Sequence, residues 1–229
     1  MSKINIDWKS FKKKYEKPKK GQFPTGTRVY KGFQGSGKTL TMIHDIFQCR
    51  KMFPECNIWS NVILKGIDYN PIMNTEDLYN AINDQNGENG VLIAIDEAHL
   101  FFNKKDGISL DVLTCISQQR KDRRKIFFTS QIWEELDVSL RKQVKEVVSC
   151  KKVGRFQLNN VIDGESIVFD KKLGTWTGQT QEWQIFKHNK ELYQAYDTFQ
   201  KIMNNTEYSR NMTQNQPYII QNNILSKRR

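Results

Sequence analysis

Eight residues near the N-terminus, Gly32 to Thr39, have the types and spacing needed to hold a chain of phosphates. They read Gly-Phe-Gln-Gly-Ser-Gly-Lys-Thr, a full match to G-x-x-x-x-G-K-[ST]. The glycines allow backbone angles closed to other residues, so successive N–H groups can converge on phosphate oxygens. An apolar-rich run that ends at Lys31 precedes the motif, and apolar residues at helical spacing follow it. Strand, glycine loop and helix is the context that this motif requires, so the sequence predicts a nucleotide-phosphate site.

The side chains of this loop have separate expected roles. The amino group of Lys38 can reach the β- and γ-phosphates, and the hydroxyl of Thr39 can ligate Mg²⁺. The N-terminus of the following helix adds partial positive charge. The alternative is a simple glycine turn between a strand and a helix. The predicted nucleotide-binding residues are Gly32, Phe33, Gln34, Gly35, Ser36, Gly37, Lys38, Thr39 and Leu40.

A second motif follows a continuous apolar run. Residues 91–95 read Val-Leu-Ile-Ala-Ile, the pattern of a parallel strand that is buried on both faces, and Asp96 and Glu97 come directly after it. We expect Asp96 to hold hydrated Mg²⁺. Glu97 is placed to orient or deprotonate the water that attacks the γ-phosphate. The alternative is that these two carboxylates cap a helix.

A third candidate follows another predicted buried strand. Residues 126–129 read Ile-Phe-Phe-Thr and are followed by Ser130 and Gln131. A polar residue at the tip of such a strand can lie between the two nucleotide motifs. Gln131 is therefore the predicted sensor of the γ-phosphate.

Composition limits the class of protein. The chain has 229 residues, 38% of them hydrophobic and 27% charged, as in a globular protein. Its net charge of +11 indicates a polyanionic partner, although a generally lysine-rich composition gives the same number. The four cysteines are scattered and predict neither a disulfide framework nor a metal site. The sequence contains no long apolar run and no signal-peptide core, so we expect a soluble, cytoplasmic protein.

Strands and helices that alternate around a phosphate loop predict a three-layer α/β domain with a mostly parallel sheet. The stretch from Val91 to Arg141 adds a specific order: hydrophobic-Asp-Glu-Ala-His, a helix that ends in Gln-Gln-Arg-Lys, a strand that ends in Thr-Ser-Gln, and Leu-Asp-x-x-Leu-Arg. This order resembles the FtsK–HerA class of RecA-like (ASCE) P-loop motor ATPases. Within that class it is most similar to the genome-packaging ATPases of tailless membrane-containing viruses and to the Zot-like ATPases of filamentous phages. The resemblance covers residues 27–150.

The resemblance implies a ring, with a hexamer expected, that pumps DNA through its centre and hydrolyses ATP with Mg²⁺ at subunit interfaces. Such a site needs a positive charge from the neighbouring subunit. Arg120 and Arg141 flank the sensor strand and are the favoured candidates. Arg123 and Arg124 are further candidates, but with Lys125 they form a charge run, which favours contact with DNA phosphates or a solvated surface. The predicted catalytic residues are Lys38, Glu97, Gln131, Arg120 and Arg141.

The resemblance also implies partners. Double-stranded DNA and further copies of the chain are expected, and a capsid vertex or a membrane protein is a further candidate. Zot-like extrusion proteins carry a transmembrane segment after the ATPase domain, and no such segment is found in this sequence, which favours packaging. The expected location is the host cytoplasm or the virion. Extrusion, transfer of a mobile element, and single-stranded DNA stay open.

Other classes of protein fit less well. Residues 103–106 read Asn-Lys-Lys-Asp, which fits the N-K-x-D motif of small GTPases, but they follow too soon after Asp96, and the expected D-x-x-G is missing. Small-molecule kinases share the phosphate loop, but Asp-Glu suits the activation of water. A nucleotide-switched scaffold without turnover is the alternative from another class, and the complete set of catalytic side chains argues against it.

The expected organisation has four parts. Near the N-terminus, Trp8, Phe11 and Tyr15 are interleaved with lysines, which fits either a basic amphipathic helix or a solvated tail. Short alternating runs after the core predict β-hairpins. The parts are a basic N-terminal arm (1–22), the P-loop ATPase core (23–153), a β-rich appendage with a short helix (154–203) and a polar, flexible tail (204–229).

Overall fold

A computed structural model describes residues 3–6, 21–100, 102, 110–119, 121–172 and 175–196. The helices are α1 (Lys38–Met52), α2 (Thr75–Asn83), α3 (Leu110–Gln118), α4 (Val138–Arg141) and α5 (Lys190–Gln194). Short 3₁₀ turns occupy Gly87–Asn89, Ala98–Leu100, Trp133–Glu135 and Gly164–Ser166. The strands are β1 (Lys3–Ile6), β2 (Gly26–Lys31), β3 (Asn57–Ser60), β4 (Asn70–Pro71), β5 (Val91–Ile95), β6 (Arg124–Ser130), β7 (Val144–Val153), β8 (Phe156–Asp163), β9 (Val168–Asp170), β10 (Thr175–Thr177) and β11 (Thr180–Lys187).

Most of these strands form one sheet. Within the described part of the chain its order is β1-β11-β8-β7-β2-β6-β5-β3-β4. The strands from β7 to β4 in this order are parallel to one another. Strand β6 lies between β2, which leads into the phosphate loop, and β5, which leads into Asp96. The predicted α/β fold with a mostly parallel central sheet is confirmed.

Strand β5 explains why the sheet has a hydrophobic layer on each face. All five of its residues are buried. Leu92 and Ala94 belong to one core cluster with α1, whereas Val91, Ile93 and Ile95 belong to a second cluster with α2 and α3. Because side chains alternate along a strand, the two clusters lie on opposite faces of the sheet. A continuous apolar run is therefore what a central strand in a three-layer fold requires.

The predicted hairpins extend the central sheet. Strand β7 turns at Gly154 into β8, and β8 pairs antiparallel with β11. Strands β9 and β10 form a small separate hairpin. At the outer edge, β1 pairs parallel with β11, so part of the basic N-terminal arm is a strand. Trp8, Phe11, Tyr15 and the tail at 204–229 lie outside the described residues. No helix in the described segments is long and apolar enough to cross a membrane.

Two residues of the basic run, Arg124 and Lys125, do not lie on a solvated surface. Arg124 is 3% exposed and Lys125 is 6% exposed. Arg124 pairs with Asp122 at 2.5 Å and Lys125 pairs with Glu146 at 2.9 Å. Both residues begin β6, so they lie at the opposite end of this strand from Gln131. The expectation that they contact solvent, DNA or a neighbour's nucleotide is therefore wrong, because the register of β6 carries them into the sheet.

Lys125 belongs to a buried charge network on β2, β6, β7 and α1. Arg28 lies 2.8 Å from both Asp45 and Glu146. The hydroxyl of Tyr30 donates to Asp45 at 2.8 Å. Burial by itself would raise the pKa of Glu146, but the charges of Arg28 and Lys125 outweigh it and lower the pKa to about 2. Glu146 thus pairs with two cations, Arg28 and Lys125, of which Arg28 also pairs with Asp45.

We expect Glu146→Gln to lower the free energy of unfolding by about 3 kcal/mol at pH 7, because it leaves two buried cations without their shared partner. The folded-state pKa of Glu146 is depressed, so its contribution is full above its ordinary value near 4.5 and is lost as the pH falls toward 2. The difference between wild type and variant in urea unfolding should therefore shrink over that range. Glu55→Gln, at an exposed position, serves as the control and should change stability by less than about 0.5 kcal/mol. Equal stability of Glu146→Gln and wild type at pH 7 would show that the two buried cations do not depend on this carboxylate.

Candidate nucleotide site at the carboxyl edge of the sheet

The predicted site residues follow three neighbouring parallel strands. Lys31 at the end of β2 is paired with Ser130 of β6, and Ile95 at the end of β5 is paired with Phe128 of β6. The phosphate loop, Asp96 and Gln131 therefore leave the sheet at the same edge. This is the edge at which parallel α/β folds bind ligands.

The phosphate loop is a tight turn that leads directly into α1. Gly37 has φ 87° and caps the helix, and its carbonyl accepts a hydrogen bond from Thr41 N at 2.8 Å. A Cβ at Gly37 would lie 2.2 Å from the side-chain oxygen of Gln157 on β8. Both the dihedral angle and the close approach of Gln157 thus require glycine here. The Phe33 side chain is 91% exposed, so only its backbone contributes to the loop.

A cleft of about 330 Å³ opens beside this loop. Lys38 is 6% exposed, and its Nζ donates to the carbonyl of Phe33 at 3.3 Å, inside the loop that it would help to fill. The lining includes the expected phosphate and water-activating groups together with residues from the C-terminal part of the chain. The lining residues are Gln34, Gly35, Gly37, Lys38, Thr39, Leu40, Glu97, Gln131, Lys152, His188, Tyr193 and Tyr196.

Asp96 is the most constrained group in the site. Its carboxylate accepts hydrogen bonds from the hydroxyls of Thr39 at 3.0 Å and Thr129 at 2.5 Å. The Asn61 side chain holds its backbone on both sides, accepting from Asp96 N at 2.7 Å and donating to Asp96 O at 3.0 Å. Burial raises the pKa of Asp96, and the neighbouring charge of Glu97 adds to the rise, while the hydroxyl donors oppose it.

The donor set around Asp96 suits Mg²⁺. The Thr39 hydroxyl and the Asp96 carboxylate are hard oxygen ligands that already lie together. No cluster of three or more His, Cys, Asp or Glu side chains suited to a metal occurs among the described residues. Mg²⁺ bound through one or two protein oxygens, water and substrate phosphates needs no such cluster. Thr39 and Asp96 would hold the ion, which would supply charge neutralisation at the phosphates.

Glu97 is held at its backbone N–H and at one carboxylate oxygen. Its backbone has φ 52°, an unusual conformation for a residue with a side chain, and its N–H donates to the Thr129 hydroxyl at 2.8 Å. Gln131 Nε2 donates to one carboxylate oxygen at 3.0 Å. His99 Nδ1 lies 3.3 Å from the other oxygen without forming a hydrogen bond to it. Gln131 thus holds the carboxylate in the lining of the cleft that the phosphate loop also lines, where a carboxylate can act on a water.

The structure brings some predicted residues together and leaves others elsewhere. Lys38, Thr39, Asp96, Glu97 and Gln131 surround one cleft. The guanidinium of Arg141 lies over the Trp176 ring, 5.7 Å from its centroid, and outside the cleft lining. Arg120 and the N-K-x-D run at 103–106 lie outside the described residues. The catalytic roles of all these residues stay predictions.

Sequence reasoning missed Asn61 and Thr129. Asn61 lies just after β3 and carries no motif of its own. Thr129 could have been found, because it precedes the Ser130-Gln131 strand tip and parallel pairing of β5 with β6 sets it beside Asp96. Its single hydroxyl joins the Asp96 carboxylate to the Glu97 backbone. The contributions of β8 and of the region after β11 to this site were not predicted from the sequence.

Comparison with solved structures identifies proteins of similar fold. The chain superposes on the N-terminal domain of zonular occludens toxin from Neisseria meningitidis with a TM-score of 0.54 and 18% identity, covering 77% of this chain and 100% of that domain. It superposes on the genome packaging NTPase B204 from Sulfolobus turreted icosahedral virus 2, in complex with sulfate, with a TM-score of 0.51 and 15% identity, covering 72% of this chain and 96% of that one. It also superposes on B204 in complex with ATP-gammaS, with a TM-score of 0.50 and 13% identity, covering 66% of this chain and 95% of that one. No protein-family model and no curated protein sequence matches the chain. The chain therefore has the RecA-like P-loop fold.

We expect Thr129→Val to lower the free energy of unfolding by about 1–3 kcal/mol, because it leaves the partly buried Glu97 N–H without an acceptor. The same change should weaken Mg²⁺-dependent binding of a fluorescent ATP analogue, because the Asp96 carboxylate loses a donor that favours its charged form. Thr129→Ser keeps the hydroxyl and is the matched control. A valine variant that equals wild type in both urea unfolding and Mg²⁺ dependence would show that this hydroxyl does not organise the site.

Proposed function

We propose that this chain is an ATPase that drives DNA through an oligomeric ring, in the manner of a viral genome-packaging motor. One observation carries the ATPase part of the proposal. Glu97 accepts a hydrogen bond from Gln131 and lines the same cleft as the phosphate loop with Lys38. A carboxylate in this place suits the activation of water rather than the transfer of phosphate to a bulky acceptor.

In this mechanism the loop N–H groups and Lys38 hold the β- and γ-phosphates. Thr39 and Asp96 hold Mg²⁺, and Glu97 orients the attacking water and accepts its proton. Gln131 contacts Glu97 directly, so it can report whether the γ-phosphate is present.

The charged residues that line the cleft favour assembly into a ring, in which a neighbouring subunit completes the site. Among the described residues the cleft lining contains lysines but no arginine. The transition state of phosphoryl transfer develops negative charge that an arginine from a neighbour can stabilise. Arg141 is the described candidate, since its Nε is buried without a hydrogen-bond partner and its guanidinium lies over Trp176. Arg120 is the second candidate.

DNA is proposed as the transported polymer on two grounds. The chain carries a net charge of +11, which favours a polyanion. One of the proteins of similar fold is described as a genome packaging NTPase. Double-stranded DNA is the proposed substrate, and the host cytoplasm or the virion the proposed location. A capsid vertex or a membrane protein would then be the docking partner.

A second candidate function is filamentous-phage assembly or another transfer of DNA. It is favoured by the superposition on the zonular occludens toxin domain, which is covered over its full length. A nucleotide-switched scaffold without turnover is the candidate from another class, and steady-state turnover separates it from both motors.

The test is ATP hydrolysis by purified protein over a range of protein concentrations, with and without double-stranded DNA. A site completed by a neighbour predicts activity per subunit that rises steeply with concentration, and a translocase predicts stimulation by DNA. Single-stranded DNA of equal length serves as the comparison. Lys38→Ala should abolish turnover under all conditions. A rate of hydrolysis that is proportional to protein concentration and unchanged by DNA would contradict the motor function. Absence of turnover would favour the nucleotide-switched scaffold.

A further inference from the structure

Part of the cleft lining comes from residues outside the phosphate-binding motifs. After β11 the chain crosses beside the start of α1 as residues 188–196, which we term the strap. Its first residue is fixed by His188 N donating to Arg155 O at 2.8 Å. Its far end is fixed by Lys65 N donating to Ala195 O at 2.8 Å and by an antiparallel bridge between Leu64 and Tyr196. The strap is thus tied to the sheet extension at one end and to the segment after β3 at the other.

A chain of hydrogen bonds joins the strap to the phosphate loop through Gln157, which is fully buried on β8. Gln157 Nε2 donates to the carbonyl of Ser36 in the loop at 2.9 Å and to Asn159 Oδ1 at 2.9 Å. Both amide hydrogens are therefore used, and Gln157 Oε1 is left to accept from His188 Nε2 at 3.1 Å. With its proton on Nε2, the imidazole accepts at Nδ1 from the Tyr193 hydroxyl, 2.7 Å away.

The His188 imidazole must be neutral for this arrangement, because Nδ1 accepts a hydrogen bond and therefore carries no proton. Burial and the charge of Lys152 lower its pKa to about 4, so it is neutral at physiological pH. The hydroxyl of Tyr193 is thereby held, and its ring stands edge-on to the imidazole at 85° with centroids 5.6 Å apart. The Tyr193 hydroxyl is thus linked to the phosphate loop through His188 and Gln157.

We propose that the ring of Tyr193 is the platform on which the nucleobase stacks. This inference rests on the proposed function, since it assigns the part of the nucleotide that the phosphate motifs leave out. Tyr193 lines the cleft and is 44% exposed although its hydroxyl is bound, so a face of the ring is available. The ends of β5 and β6 supply the groups for the γ-phosphate, and the strap supplies the remaining wall. Every base has a π-face, so an aromatic ring binds it without reading its edge.

The experiment compares the affinities of Mg²⁺–ATP and Mg²⁺–tripolyphosphate by calorimetry, because the second ligand has the phosphates without the base. Tyr193→Ala should weaken ATP binding about 5- to 150-fold, the range that base stacking on aromatic residues contributes, and leave tripolyphosphate binding unchanged. Tyr193→Phe keeps the ring and should stay within about threefold of wild type. Tyr193→Leu keeps apolar bulk without an aromatic face and should behave as the alanine variant.

Two controls separate the possible failures. Phe169→Ala removes an aromatic side chain of similar exposure, 48%, from the β9–β10 hairpin outside the cleft, and should change neither affinity. Lys38→Ala should weaken the binding of both ATP and tripolyphosphate. If Lys38→Ala weakens neither, the nucleotide site itself is wrong. If Lys38→Ala weakens both but Tyr193→Ala and Tyr193→Leu leave the ratio of the two affinities at the wild-type value, the site stands and the base platform is overturned.

His188 would act as a positioning residue through Tyr193. His188→Ala should therefore weaken ATP more than tripolyphosphate, and it should add no further loss of ATP affinity in the Tyr193→Ala background. A merely structural histidine would weaken both ligands alike and add its loss to that of Tyr193→Ala, which would overturn the positioning role.

Discussion

The site depends on the burial of one carboxylate, that of Asp96. A buried carboxylate is costly unless hydrogen bonds and nearby positive charge compensate it. The structure provides two hydroxyl donors and Lys38 nearby, and the pKa of Asp96 is nevertheless raised by its burial. Mg²⁺ would complete this compensation, so the site suits a cation that arrives with the phosphates. Thr129 is central because the same hydroxyl also fixes the backbone of Glu97.

The topology explains how residues far apart in the sequence come together. Parallel strands β2, β6 and β5 end at one edge, and each contributes one functional segment there. The antiparallel strand β8 then brings Gln157 against the phosphate loop, where a side chain at Gly37 would collide with it. The sheet extension is therefore part of the nucleotide site, because it supports the loop and carries the strap across the cleft.

Features encoded in a short stretch of sequence were predictable, whereas contacts between residues far apart in the chain were not. The phosphate loop, the buried strand β5 and the parallel sheet followed from local glycine spacing and apolar runs. Arg124 and Lys125 were misjudged because a run of charges usually faces solvent, whereas here Asp122 and Glu146 pair with them inside the fold. The chain of hydrogen bonds from Ser36 to Tyr193 joins three separate segments, and a single sequence contains no local signal for such contacts.

The role of Glu97 is tested most directly by measuring ATP binding and single-turnover hydrolysis by Glu97→Gln beside wild type. We predict an ATP dissociation constant within about threefold of wild type, because the substitution keeps shape and the phosphate loop is untouched. Hydrolysis should be slower by about 10²- to 10⁴-fold, the usual contribution of a general base. Hydrolysis at the wild-type rate by this variant would show that Glu97 does not activate water and would contradict the assignment of the site.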